Sequence, residues 1–145
     1  MAPQVSVVDD DVSVRKSLDR LIRSVRMNVR LFASAEEFLN SDRPCASDCL
    51  ILDVRLPGMS GIELHRQLLA AKCNVPVIFI TAHGSDDCAR SEADSDWTVA
   101  YLIKPFGGDE LLDAVGMALK WNHKAGGADQ SGHGVRGSCR TRGIP

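Results

Sequence analysis

Three groups of residues have types and positions suited to chemistry on a metal or a phosphate. Asp9, Asp10 and Asp11 follow the apolar run Val5-Ser6-Val7-Val8, and Asp53 follows Leu50-Ile51-Leu52. Thr81 ends the run Val77–Thr81, while Lys104 follows Val99–Ile103 and precedes Pro105-Phe106. Two like charges about 4 Å apart repel by roughly 4 kcal/mol at an effective dielectric near 20. Carboxylates held together therefore need a hard cation or raised pKa values. Mg²⁺ suits such a set, since it takes a few carboxylates, a backbone carbonyl, waters and a phosphate oxygen. The Thr81 hydroxyl could bond a phosphoryl oxygen, and Lys104 offers a counter-charge for an anion.

Each group also has a plainer reading. Acids favour a helix N-terminus, so Asp9-Asp10-Asp11 is at least as well explained as a cap for the next helix, a role that suits Asp11 or Ser13. Thr is common in strands, and a lone lysine before proline is usually a solvated turn. Asp53 resists this treatment. A charge placed straight after three apolar residues costs free energy at a strand end unless it is used.

The elements that must position these groups alternate. Five short runs rich in β-branched residues occur at Val5–Val8, Val29–Phe32, Cys49–Leu52, Val77–Thr81 and Val99–Ile103. Between them, Val14, Leu18, Leu21, Ile22 and Val25 paint one stripe on a helix. Ser34-Ala35-Glu36-Glu37 reads as a capping box opening a short helix with Phe38 and Leu39. Ile62, Leu64, Leu68 and Leu69 mark a helix after Gly61, and Leu111, Leu112, Val115 and Leu119 mark the last, begun near Asp109. Alternation of strand and helix implies parallel pairing with right-handed crossovers. Residues 50–52 and 77–80 are apolar throughout, as strands buried on both faces are. The fold class is α/β, a five-stranded parallel, flavodoxin-like doubly wound (βα)5 sandwich. Ligands of such sheets bind outside the carboxyl ends of the strands, which is where Asp9, Asp10, Asp53, Thr81 and Lys104 fall.

A chain of 145 residues with 44% hydrophobic and 25% charged content is ordinary for one globular domain. The net charge of −2 makes no case for nonspecific binding to nucleic acid or membrane. It hides an asymmetry: residues 1–121 carry 13 Lys/Arg and 18 Asp/Glu (13 − 18 = −5), the rest 4 Lys/Arg and one Asp (+3). From Asn122 onward lie six of the twelve glycines and no apolar period. We read 1–121 as the folded domain and 122–145 as a flexible tail, a truncated or altered linker. Of five cysteines, Cys45, Cys49, Cys73, Cys88 and Cys139, none form a C-x-x-C pair. A zinc site or disulfide framework is not expected; reduced, mostly buried thiols are. No signal peptide or membrane span is readable, so the expected compartment is the cytoplasm.

Four stretches then resemble the motifs of bacterial response-regulator receiver domains. They are Val7-Val8-Asp9-Asp10-Asp11, Leu52-Asp53-Val54-Arg55-Leu56-Pro57-Gly58-Met59-Ser60-Gly61, Thr81-Ala82-His83-Gly84 and Tyr101-Leu102-Ile103-Lys104-Pro105-Phe106. Modest singly, they are highly specific together, and they span about residues 4–121. The wording is nearest to receivers that precede a helix-turn-helix DNA-binding domain. The resemblance implies that Asp53 is the phosphoacceptor. Asp9 and Asp10 would bind Mg²⁺ with Asp53 and the backbone carbonyl of Arg55. Thr81 would bond the phosphoryl group, Lys104 would pair with it ahead of a cis bond to Pro105, and Ala82 would keep the approach open. Tyr101 would be the rotameric switch partner of Thr81. The implied protein is a signalling switch and not an enzyme in its own right. Its implied partners are a sensor histidine kinase, a second receiver in a homodimer, and DNA only through an output domain outside this chain; no membrane is involved.

The chain departs from that pattern between Thr81 and Lys104, where it is about one residue longer. Ser85–Asp96 holds Asp86, Asp87, Glu92, Asp94 and Asp96 against Arg90 alone, and its apolar residues are only Cys88, Ala89 and Ala93. That composition predicts a short or irregular fourth helix with low hydrogen-exchange protection. Asp96-Trp97-Thr98 replaces the family's Gly-Ala before the fifth strand, and Arg26 stands where relatives often end a helix with glycine. His65, His83, His123 and His133 show no pairing that suggests a metal site or general base. Among rival functions, an aspartyl phosphatase needs a second Asp two residues after the nucleophile, where Arg55 stands. A flavin site needs a Ser/Thr/Gly-rich loop where Asp9-Asp10-Asp11 would repel phosphate. The remaining alternative is a phosphorylation-independent interaction module with the receiver fold.

Overall fold

The computed structural model describes residues 2–82 and 95–128, with side chains through Trp121. Five strands form one parallel sheet: β1 (Gln4–Val8), β2 (Asn28–Phe32), β3 (Cys49–Asp53), β4 (Val77–Thr81) and β5 (Thr98–Ile103), ordered β2-β1-β3-β4-β5. Among the described residues, four α-helices cover it: α1 (Val12–Arg23), α2 (Ala35–Leu39), α3 (Gly61–Ala70) and α4 (Gly108–Ala128). This is the doubly wound arrangement anticipated from the alternation.

Side-chain caps open the first three helices. Asp11 caps α1, its Oδ1 accepting from the Ser13 amide at 2.8 Å. Ser34 caps α2 by accepting from Glu37 N at 3.1 Å, while Glu37 Oε1 reaches back to accept from Ala33 N at 2.9 Å. Ser60 caps α3 through Glu63 N. Strands β3 and β4 are buried at every residue, because helices lie on both faces. On one face Leu50, Leu52 and Phe79 pack with Phe38 and Leu64 of α2 and α3. On the other, Val7, Ile51 and Ile80 pack with Ile22 of α1 and with Leu111 and Val115 of α4.

Three expectations change. Val25, counted in the α1 stripe, lies beyond the helix and is 41% exposed. The chain turns just after it at Arg26, whose φ of 66° is the left-handed conformation usually given to glycine. The last helix does not stop at Trp121, since residues 122–128 continue it. Most consequential is the cysteine correction: Cys45 and Cys73, 28 residues apart, form a disulfide. Two tight turns, at Arg43 and Lys72, bring them together, and sequence spacing carries no record of that. Cys49 is a buried free thiol, its pKa pushed up by burial. The short or irregular fourth helix and the roles of Cys88, His83 and Arg90 lie outside the described residues, as does the tail from residue 129.

Candidate functional site

The carboxyl ends of β1, β3, β4 and β5 converge because all four strands are parallel. Asp9 leaves β1 fully buried, Asp10 beside it is exposed, and Asp53 ends β3 with 5% exposure. One carboxylate oxygen from each of these three residues lies within 4.8 Å of the others. Lys104 follows β5 and bridges two of them, its Nζ donating to Asp9 Oδ2 at 2.8 Å and to Asp53 Oδ2 at 3.2 Å. The Lys104–Pro105 peptide is cis, and the Lys104 amide donates to the Thr81 carbonyl at 2.7 Å, tying this turn to the end of β4.

The remaining oxygens are engaged by local backbone. Asp53 Oδ1 accepts from the Arg55 amide at 3.0 Å, and Asp9 Oδ1 from the Asp11 amide at 2.8 Å. Burial pushes the Asp53 carboxyl up to about 6, with repulsion from Asp9 adding to it; the Arg55 amide and Lys104 pull the other way. Burial also works against the Lys104 ammonium, but hydrogen bonds and attraction from Asp9 and Asp53 outweigh it and hold its pKa above the ordinary value. One ammonium thus faces a pair of buried acids plus a third at the rim. The net negative, all-oxygen donor set fits a hard divalent cation.

Of the other residues expected at this site, Thr81, Ala82 and Arg55 stand at or just beyond strand ends, and Tyr101 lies within β5. Thr81 is buried at the tip of β4, and Ala82 next to it is exposed. Arg55 is exposed on the loop after β3. Tyr101 sits half-buried on β5, its ring centroid 6.3 Å from that of Phe79.

Three supporting residues have no role at the site assigned from the sequence. Arg15, one turn into α1, donates from Nη1 to the Asp9 carbonyl at 2.7 Å and fixes the acidic turn. Gly61 presses on the backbone of Asp53. Glu36 on α2 accepts from the Met59 amide at 3.0 Å, steadying the loop that leads from Asp53 to α3. Nothing in the local pattern marks these; each depends on a neighbour brought in by the fold. His65, whose sequence context suggests neither a metal site nor a general base, is 3% exposed, and its Nε2 lies 2.7 Å from Ser95 Oγ.

Residues 5–116 match the family model of the response regulator receiver domain. The chain belongs to that family. This receiver domain is 46% identical over 120 residues to nodulation protein W of Bradyrhizobium diazoefficiens, covering 83% of this chain and 52% of that protein. It is 42% identical to the response regulator protein TodT of Pseudomonas putida, over 82% of this chain and 52% of that one. Among solved structures, response regulator StyR superposes with a TM-score of 0.75 at 38% identity, covering 99% of this chain and 67% of that chain. The chain spans about half the length of the curated relatives it matches. The acidic pocket of this receiver domain fits a phosphoacceptor site. Among its described residues, no helix is long and apolar enough to cross a membrane.

Proposed function

We propose that this receiver domain takes a phosphoryl group onto Asp53 from the phosphohistidine of a sensor kinase, and that the modified domain switches a transcriptional output. The observation that carries this reading is the placement of Asp53: a buried carboxylate at the end of the central strand, beside two further acids and one bridging lysine. Asp9, Asp10 and Asp53, with the Arg55 carbonyl, are the residues that would hold Mg²⁺, which when bound neutralises charge between the carboxylate and phosphoryl oxygens.

An Asp53 oxygen attacks phosphorus in line, the P–N bond breaks, and the imidazole leaves with its electron pair. The domain contributes positioning and charge, not a covalent relay of its own. It therefore acts as a switch that takes part in its own phosphorylation and hydrolysis, not as an enzyme with a separate substrate. Lys104 already bonds Asp53 Oδ2 and would pair with the added group. Thr81 is the hydroxyl that would move toward it, and Tyr101 the aromatic side chain that would follow. The aspartyl phosphate adds roughly −1.5 to −2 of charge, enough to redraw these contacts. A cytoplasmic location, a helix-turn-helix output domain and a receiver homodimer belong to the same reading.

Acetyl phosphate with Mg²⁺ tests it. One phosphoryl group, labile to hydroxylamine, is expected on the wild-type chain and none on Asp53→Asn. Label on that variant would move the site, and no label on either would leave an interaction module with a receiver fold.

A further inference from the structure

The disulfide lies at the opposite end of the molecule from the acidic pocket. Cys45 sits in the one-turn 3-10 helix Pro44–Ala46, just before β3, and Cys73 follows α3 ahead of β4. The bond therefore ties the amino ends of the two strands whose carboxyl ends carry Asp53 and Thr81. We propose that Cys45 and Cys73 are a reversible thiol–disulfide pair, a redox modification site that sets the stability of this domain.

Three observations bear on the pairing. First, both cysteines are delivered by turns that the backbone fixes. Arg43 adopts φ 51° before Pro44, and Lys72 adopts φ 60° so that the Cys73 amide donates to Leu68 O at 2.8 Å. Second, the loop bearing Cys45 is pinned to β1. Ser47 Oγ lies 2.5 Å from Ser6 Oγ in the interior, the Gln4 amide donates to Asp48 Oδ2 at 2.8 Å, and the Asp48 amide donates to Gln4 O at 2.8 Å. With both turns so held, the Cα atoms stand 5.4 Å apart, inside the usual range for a disulfide. The two turns thus hold Cys45 and Cys73 at bonding distance. Third, exposure is divided between the partners: Cys45 is at the surface and Cys73 is 4% exposed. A disulfide buried on both sides is shielded from thiols, whereas this one offers a single reachable sulfur.

The chemistry balances as two exchanges. The Cys45 thiolate attacks a small-molecule disulfide, forming a mixed disulfide and releasing one small thiolate. The Cys73 thiol, after losing its proton, attacks the Cys45 sulfur and releases the second. Two protein thiols lose two electrons in all, and the small disulfide gains them as two thiols. A small dithiol attacking Cys45 reverses the sequence. Cys49, buried in the sheet with its thiol held protonated by burial, takes no part.

The test uses the full chain carrying Cys88→Ser and Cys139→Ser, incubated with oxidised glutathione or with dithiothreitol, then digested for mass spectrometry and melted thermally. A Cys45–Cys73 linked peptide is expected after oxidation and not after reduction. The oxidised chain should melt roughly 10 °C higher, as closing a loop of this size implies. Adding Cys45→Ser should erase that redox difference while the chain still folds. A linkage of Cys45 to Cys49, no linkage at all, or equal melting temperatures in both conditions would overturn the proposal.

Discussion

A Cβ placed on Gly61 would lie 2.0 Å from the backbone carbonyl oxygen of Asp53. The first residue of α3 is therefore packed directly on the peptide that carries Asp53, the proposed phosphoacceptor, and the Gly61 amide also donates to Val54 O at 3.0 Å. No flexible side chain is available to give way. Gly61→Ala must displace either α3 or the end of β3, at about 1–3 kcal/mol. We expect urea unfolding to show that loss, together with slower labelling of Asp53 by acetyl phosphate. Gly107→Ala, where a Cβ meets nothing within 4 Å, should change neither. Full labelling of Gly61→Ala would separate this packing from the chemistry.

Asp53 and His65 titrate over overlapping ranges with opposite effects on stability. Burial holds the His65 imidazole down to about 4, so between about 4 and 6.5 the unfolded chain takes up a proton that the folded chain refuses. Stability rises with pH across that window, by roughly 3 kcal/mol in all. Asp53, raised by burial from 3.8 to about 6, does the reverse: its contribution is present at low pH and is lost as pH rises through about 6. In the metal-free wild type the two partly cancel. His65→Gln should therefore expose a decline of stability with rising pH between 4 and 6, and Asp53→Asn a steeper rise between 4 and 6.5. Denaturant midpoints measured at several pH values decide it, and parallel profiles for both variants and the wild type would refute it.

Lys104 is the cation that makes the metal-free pocket tolerable. Lys104→Met removes the ammonium that bridges Asp9 and Asp53, and we expect a loss of about 2 kcal/mol at pH 7. Added Mg²⁺ should restore more stability to this variant than to the wild type, because the ion takes over the neutralising role. Thermal shift with and without Mg²⁺ measures the difference directly.

Asp10 separates metal binding from folding. It is exposed, whereas Asp9 is fully buried and bonds both Lys104 and the Asp11 amide. Asp10→Ala should weaken Mg²⁺ at least about tenfold by calorimetry while unfolding within about 0.5 kcal/mol of the wild type. Unchanged Mg²⁺ affinity would remove Asp10 from the coordination set.

What could be read in advance follows from the reach of each signal. The strands were legible because apolar runs report burial on both faces, and Asp53 because a charge ending such a run stands out within four residues. The convergence of Asp9, Asp53 and Lys104 followed from parallel topology alone. The Cys45–Cys73 bond was misjudged because it depends on left-handed turns at Arg43 and Lys72, two residues whose types do not announce that conformation. The contact of His65 is hidden from the sequence for a related reason. Its partner is Ser95, thirty positions away, and a histidine on a helix carries no mark of which strand-end residue will meet it. That contact also anchors the close of the acidic stretch, where Ser95 Oγ accepts from Trp97 N at 3.1 Å and lies 3.2 Å from Thr98 Oγ1.

The passage of α4 beyond Trp121 has a mechanical meaning. The Trp121 indole donates to the Asp96 carbonyl at 3.0 Å, so the helix is clamped to the chain entering β5 at the point where it leaves the domain. Through Ala128 the backbone then extends as a rod and not as a tether. Each residue added to or deleted from such a rod turns whatever is attached to it by about 100° and shifts it by about 1.5 Å. Anything joined to such a rod would be set by orientation more than by reach.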